Sequence, residues 1–335
     1  MTDAPGLQAI MAEMARQHGD AQASLAAASA TAATVAASLR RTGRLHLLGM
    51  GGSHWVNRTV VPAYRACGLD ASAEVLSEAL SNPSPGQPRT VLVVSQSGAS
   101  GEVLRYLETP AGPEDRFGLT LDPGSPLGTV LPCLVGVGGP ERAFAATRSL
   151  LISHALHLAV LRALDAAEGD AVAALAEGEI PEIDAAVAAL DPCASFVLSG
   201  RGALAGVAES GALCLMELAR CPALGFEAGQ LRHGPMEMLS ERTGVVVLRG
   251  AGPAAELDAA LARDCRAAGC PVVVVDASGM APVPDTVTLP LPPRSGYAAA
   301  LAALPTLQRL LVQVAAAKVA DVGTPVRSSK VTTTP

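Results

Sequence analysis

Three short segments concentrate the residue types that can do chemistry. The first is Ser95-Gln96-Ser97-Gly98-Ala99-Ser100-Gly101-Glu102, between an apolar run at Thr90–Val94 and a helical pattern of Val103, Leu104 and Leu107. A loop from strand to helix aims backbone N–H groups at one point on a helix N-terminus, where the macrodipole favours an anion. Small residues let the backbone approach, and the serine hydroxyls with Gln96 add donors without a full charge. The plainer reading is a Ser/Gly turn with Ser100 as helix N-cap. The second segment is the helix-like Glu209–Leu218, whose Glu217 could move protons or could be a solvated helix carboxylate. The third is Gly229-Gln230-Leu231-Arg232-His233-Gly234-Pro235, where the Gly-Pro restricts the chain after a histidine that is either catalytic or a structural turn residue.

A further loop, Gly49-Met50-Gly51-Gly52-Ser53, leaves an earlier strand in the same way. It lacks the third glycine of a dinucleotide fingerprint, and no acidic residue closes the next strand as a ribose ligand. No Gly-Lys-Ser or Gly-Lys-Thr occurs. The segment matching the serine loop in the second half, Arg249-Gly250-Ala251-Gly252-Pro253, has no hydroxyls, so one ligand site per chain is expected.

These segments need strands to hold them. Apolar runs at Arg44–Leu48, Thr90–Val94, Gly118–Asp122, Leu134–Val137, Ser195–Ser199, Gly244–Leu248, Pro271–Asp276 and Thr286–Leu289 alternate with helical stretches, and a weaker strand falls at Ala73–Leu76. Such runs predict an α/β protein with mainly parallel, doubly wound sheets covered on both faces. The halves repeat: Gly49 pairs with Gly200 at an offset of 151, Val91–Ser95 with Val245–Arg249 at 154, and Leu119–Asp122 with Val273–Asp276 at 154. Two tandem three-layer units follow, with helices Leu150–Leu164 and Asp170–Leu190 bridging them. The expected division is a helical lead-in over 1–40, a first domain over 41–168, a second over 169–318 and an extended tail over 319–335.

The 335 residues suit two domains, and 50% hydrophobic residues exclude disorder for most of the chain. One Trp, three Tyr and four Phe leave few rings for stacking on single-stranded nucleic acid. With 24 basic and 31 acidic residues, net −7, neither nucleic acid nor an anionic membrane is the expected partner. The seven cysteines have irregular spacing and no C-x-x-C, so neither a disulfide framework nor a zinc site is expected. Nothing calls for a metal or an organic cofactor. The N-terminus lacks the pattern of a signal peptide, and Leu150–Leu164 is the best apolar stretch, interrupted by Ser153, His154, His157 and Arg162; a cytoplasmic protein is expected.

Together the Ser95-Gln96-Ser97-Gly98 loop, the Glu217 helix, the Gly229–Pro235 run and the ending Ser328-Ser329-Lys330-Val331-Thr332 resemble the tandem sugar isomerase (SIS) family, in particular its aminotransferase isomerase halves and its glucosamine-6-phosphate deaminases. The resemblance begins near residue 40 and keeps the family's order. It implies that Ser95, Gln96, Ser97 and Ser100, with Gly51, Gly52 and Ser53, bind a sugar 6-phosphate. It implies that Glu217 shuttles a proton between C1 and C2, that His233 assists ring opening from the partner of a homodimer, and that Lys330 forms a Schiff base with the open-chain ketose. Two positions depart from the family pattern: Cys214 stands where a lysine is usual, and Ala99 where the loop has a glutamate. No glutaminase part precedes the resemblance, which points to the catabolic direction: glucosamine 6-phosphate and water to fructose 6-phosphate and ammonia. The alternatives are a fructosamine-6-phosphate deglycase and a non-catalytic phosphosugar sensor, although residues 1–40 offer no basic recognition helix.

Overall fold

The computed structural model describes residues 4–84, 86–166 and 169–333. Two compact units divide the chain: Ala12–Ala176 with Pro325–Pro335, here the N-terminal unit, and Met1–Met11 with Glu177–Thr324, the C-terminal unit. The last residues of the chain thus belong with the first sheet.

Two helices lead in, α1 (Pro5–Ala27) and α2 (Ser29–Thr42). Gly43 ends α2 in the left-handed conformation, its N–H bonded to the Leu39 carbonyl. Then come β1 (Arg44–Gly49), α3 (Gly51–Ala66), β2 (Asp70–Val75), α4 (Leu76–Ser81), β3 (Arg89–Val94), α5 (Gly101–Glu108), β4 (Glu114–Thr120), α6 (Pro126–Val130), β5 (Cys133–Val135), α7 (Arg148–Ala163) and α8 (Gly169–Ala176). The five strands pair in parallel in the order β2-β1-β3-β4-β5. In β1 and β3 every residue after the first is buried or nearly so, which requires cover on both faces because side chains alternate. Leu48, Val91 and Val93 meet Leu76 of α4, Val103 and Tyr106 of α5 and Leu127 of α6. Helices α2 and α3 pack on α7, which is buried on all sides from Arg148 to Leu161.

The C-terminal unit holds α9 (Asp184–Leu190), β6 (Ser195–Gly200), α10 (Ala203–Leu218), β7 (Ala223–Glu227), α11 (Ala228–Arg232), a 3-10 turn at Pro235–Met238, β8 (Thr243–Gly250), α12 (Ala255–Ala267), β9 (Val272–Ala277), β10 (Val287–Pro290) and α13 (Gly296–Lys318). Its parallel sheet runs β10-β9-β8-β6-β7, which from the other edge is the same order as the first sheet. This is the doubly wound order in which ligands bind where the winding reverses, at the carboxyl ends of the first and third strands. Among the described residues, α13 is the one helix long and apolar enough to cross a membrane by length and composition. It is 83% buried over its most apolar window and packs on α10. The sequence had pointed to α7 instead.

Strand pairing changes part of the sequence reading. Val94 lies beside Leu119 and Leu248 beside Val275, so with Val94 equivalent to Leu248 the fourth strand matches at an offset of 156, not 154. Asp276 stands where the first sheet has Thr120, and its match to Asp122 was a coincidence. A valine-rich run fits any even slip, since its side chains repeat every two residues. The expected helix Asp170–Leu190 is α8 and α9, interrupted over 177–183, a stretch that contains Pro181. Strand β4 begins four residues before the expected Gly118 because Glu114, half-buried at its start, is satisfied by Arg89 and Arg116. Strand β7 was not foreseen: Ala-Leu-Gly-Phe-Glu is a half-exposed edge strand with an internal glycine.

The lead-in helix ties down the loop after β5. Arg148, fully buried at the start of α7, bonds Glu13 at 2.5 Å, Asp20 at 3.1 Å and the Gly139 carbonyl at 2.8 Å. Glu13 also accepts the Arg142 N–H at 3.0 Å. Burial alone would raise the Glu13 carboxyl, but this N–H and the guanidinium hold it below its ordinary value. Replacing Arg148 with Met strands Glu13 and should lower urea stability by about 3–5 kcal/mol. A loss under about 1 kcal/mol, the range of an exposed pair, would show that the pair holds nothing.

Candidate active site

The Ser95–Ser100 loop leaves β3 beside the Gly51–Ser53 first turn of α3, which follows the neighbouring β1, so both lie at the carboxyl edge of the first sheet. The chain folds back tightly here. The Ser95 N–H donates to the Leu119 carbonyl at 3.0 Å, and the Gly98 N–H donates to the Ser95 carbonyl and hydroxyl. The Ala99 N–H donates to Ser97 Oγ at 3.4 Å. Gly98 has φ +60°, and a Cβ there would stand 2.1 Å from Ser125 Oγ, so the turn requires glycine. Ser100 occupies the N-cap position of α5, as the plainer reading expects, but its hydroxyl caps no helix N–H. Ser53, Gln96, Ser97 and Ser100 are each half-buried; Ser95 is buried. Gly51 begins α3 at φ +48°, and Gly52 lies so close to Leu150 that a Cβ would come within 3.0 Å of it.

Lys330 comes to this loop from the far end of the chain. Its Nζ lies 3.1 Å from Oε2 of Glu141, and two residues on, the Thr332 carbonyl accepts the Gly101 N–H of α5 at 3.0 Å. Glu141 is buried, with no exposed side-chain surface. Its Oε1 accepts the Thr147 N–H at 2.9 Å and hydroxyl at 3.1 Å, and the Ser149 N–H at 3.4 Å. Its Oε2 accepts the Ser149 hydroxyl at 2.5 Å. The Gln96 amide reaches the Glu141 carbonyl at 3.5 Å. Sequence reasoning missed Glu141. The available signal was an acid in the Gly138-Gly139-Pro140 turn just past the last strand of the first sheet.

Glu217 and His233 belong to the C-terminal unit. Glu217 is half-buried in the last turn of α10, where the helix dipole disfavours a carboxylate, so helix stability does not account for it. One turn back lies Cys214, buried. Burial, and then the Glu217 charge, push its thiol up to about 12. His233 is exposed at the end of α11. Gly234 follows at φ 112°, which only glycine adopts easily, and Pro235 begins the 3-10 turn, so the histidine is held at a fixed corner. Two further histidines are buried in α7: burial lowers His154 and His157 to about 3, and His157 bonds the Tyr64 hydroxyl. His54 is buried in α3 and held toward its neutral form by burial.

At the matching edge of the second sheet the space is taken by the protein's own ions. Arg249, where the first sheet has Ser95, is buried and bonds Asp276 at 2.9 Å and the Ala255 carbonyl at 2.9 Å. Arg201, in the loop after β6, holds Asp258 at 3.0 Å and Glu227 at 3.2 Å. The missing hydroxyls of this loop are thus replaced by two ion-paired arginines.

Residues 190–317 match the family described as SIS domain. Those residues are a SIS domain. They include α10 and the His233 corner. The chain is also 29% identical over 311 residues to glutamine–fructose-6-phosphate aminotransferase (isomerizing) of Gloeobacter violaceus, covering 84% of this chain and 50% of that one. To the enzyme of the same name from Caulobacter vibrioides it is 31% identical over 210 residues, 56% of this chain and 34% of the relative. The chain therefore spans about half, or less, of these relatives. Among solved structures, the C-terminal domain of glucosamine-fructose-6-phosphate aminotransferase from Francisella tularensis superposes with TM-score 0.83 at 18% identity, over 95% of this chain and 98% of that one. Glucosamine-6-phosphate deaminase from Thermotoga maritima gives 0.78 at 18%, over 97% and 100%. Tagatose-6-phosphate ketose/aldose isomerase from Escherichia coli gives 0.78 at 21%, over 92% of each. At these identities the likeness is one of fold.

A protonated, buried thiol beside Glu217 is a poor nucleophile. In the folded protein at pH 8, iodoacetamide should modify Cys214 at least ~100-fold more slowly than in urea, read by peptide mass spectrometry. Modification at equal rates would show a thiolate in the site, contrary to the direction of its shift.

Proposed function

We propose that this chain is an aminosugar-6-phosphate deaminase with built-in aldose–ketose isomerisation, acting on glucosamine 6-phosphate. The reading rests on one observation: an amine, Lys330, is held 3.1 Å from the buried carboxylate of Glu141, whose backbone carbonyl meets the Gln96 amide of the Ser-Gln-Ser loop at 3.5 Å. A plain C1–C2 proton shift needs only a base; an amine in place suits exchange of a C–N bond. The names of the relatives, which act on a sugar 6-phosphate, support the same substrate class.

In this reading the phosphate docks on Ser53, Ser95, Gln96, Ser97 and Ser100, with the small residues Gly51 and Gly52 leaving it room. Residues 41–168 act as a second, phosphate-holding SIS unit before the recognised one, and residues 319–335 as a catalytic tail. His233 takes the C1 hydroxyl proton while the ring oxygen gains one, which opens the ring to the aldehyde. Glu217 removes the C2 proton and returns it to C1, while the proton held by His233 goes back to the C1 oxygen, giving the C2 iminium. The Lys330 amine adds to C2 and ammonia leaves. Water then adds to the lysine iminium and expels the amine, giving fructose 6-phosphate. The sum is aminosugar phosphate plus water to ketose phosphate plus ammonia. A cytoplasmic homodimer completes the proposal, with the exposed His233 serving a second copy of the chain.

Incubation with glucosamine 6-phosphate should release ammonia and fructose 6-phosphate in equal amounts, and Lys330→Ala should slow this by roughly 100-fold or more. Turnover of a fructosamine 6-phosphate that survives Lys330→Ala would instead mark a deglycase. Tight sugar-phosphate binding with no turnover of any such substrate would mark a sensor.

Two inactive variants test the shared site. If His233 serves the partner's Lys330, a refolded equal mixture of His233→Ala and Lys330→Ala should regain about a quarter of wild-type activity, because half the dimers are mixed and each has one intact site. If both residues act within one subunit, the mixture stays dead.

A further inference from the structure

We infer that Glu141 is a positioning residue: its buried carboxylate docks the C-terminal tail by holding Lys330 at the mouth of the phosphate loop. As a statement about catalysis this rests on the function proposed above; as a statement about the tail it stands on geometry alone.

Of the five donors to the Glu141 carboxylate, four come from Thr147 and Ser149 at the start of α7 and fix it without any help from the tail. The fifth is Lys330, 189 positions away in sequence. Four neutral donors soften but do not cancel the cost of a buried negative charge; a cation does. Tail residues 325–329 are exposed, and few contacts hold the segment: the Lys330–Glu141 pair, the bond from the Gly101 N–H to the Thr332 carbonyl, and a local turn of Ser329 on Val331. The pair is the one charged anchor among them. The platform is braced from behind, since Arg148 ties Gly139 to Glu13 and Asp20, and Arg16 bonds the Gly138 carbonyl at 2.7 Å. So α1 fixes the turn that presents Glu141, and Glu141 fixes the amine. The pair must open when Lys330 attacks a sugar, so Glu141 also sets where the amine returns after each turnover.

Arg327, exposed in the tail, provides the assay. Trypsin cleavage after Arg327 is timed in the wild type, Glu141→Gln, Lys330→Met and the double variant, with thermal melting to check the fold. The carboxamide keeps an acceptor for Thr147 and Ser149 and removes the charge. Each single change should speed cleavage by about tenfold or more, and the double variant should be no faster than either single, as expected when two residues act through one contact. Glu141→Asp should recover part of the protection. If Glu141→Gln has no effect, or speeds cleavage by the same factor in the Lys330→Met background, the proposal fails, since Glu141 would then act on the fold and not on the lysine. Should Glu141→Gln not fold, Lys330→Met alone decides: unchanged cleavage overturns the docking. In the assay for ammonia, Glu141→Gln should lower kcat by about tenfold while KM stays within about twofold, because the phosphate loop is untouched. A wild type with no activity but with the predicted cleavage pattern would refute the proposed function and leave the docking intact.

Discussion

One buried negative charge organises the N-terminal unit. Glu141 lies on a loop past the edge strand β5, out of water, and a carboxylate there is tolerated only if its lone pairs are filled and its charge is met. Thr147 and Ser149 fill the lone pairs, and Lys330 meets the charge. The consequences spread from that point. The start of α7 is fixed by the same bonds, Arg148 carries the constraint to Glu13 and Asp20, and the last residues of the chain are drawn back onto the first sheet. A segment with almost no apolar anchor thereby gains a defined place.

The two sheets share one strand order and have solved the problem of their carboxyl edges in opposite ways. In the first, small residues, hydroxyls and helix-start N–H groups leave an edge suited to an anion that the protein does not itself contain. In the second, Arg249–Asp276 and Arg201 with Asp258 and Glu227 occupy the corresponding positions. Asp258, buried in this network, is pushed up to about 6 by burial, which outweighs the neighbouring arginines. Such a filled edge has no need of a ligand.

Most strands were legible in the sequence because parallel strands buried on both faces are continuous apolar runs, and Thr90–Val94 or Val272–Ala277 can be little else. The serine loop was legible for a local reason: it lies between a strand and a helix, so its chemistry and its position come from neighbouring residues. Glu217 could be placed on a helix, and His233 at a corner, by the same local logic. What stayed hidden was long in range. Nothing near Lys330 names Glu141 as its partner, and nothing near Arg148 names Glu13. The register of β9 was misread by two residues because an even slip leaves every valine facing the same way. Strand β7 escaped because an edge strand needs only one buried face and carries too weak a pattern.

In this mechanism Lys330 is the amine that takes up the sugar. Borohydride reduction in the presence of fructose 6-phosphate tests it most directly, since a reduced lysine iminium survives digestion and can be located by mass spectrometry. One sugar-phosphate adduct is expected, on Lys330, and it should be lost in Lys330→Arg. An adduct on another lysine or on none, in a protein that still releases ammonia from glucosamine 6-phosphate, would contradict it.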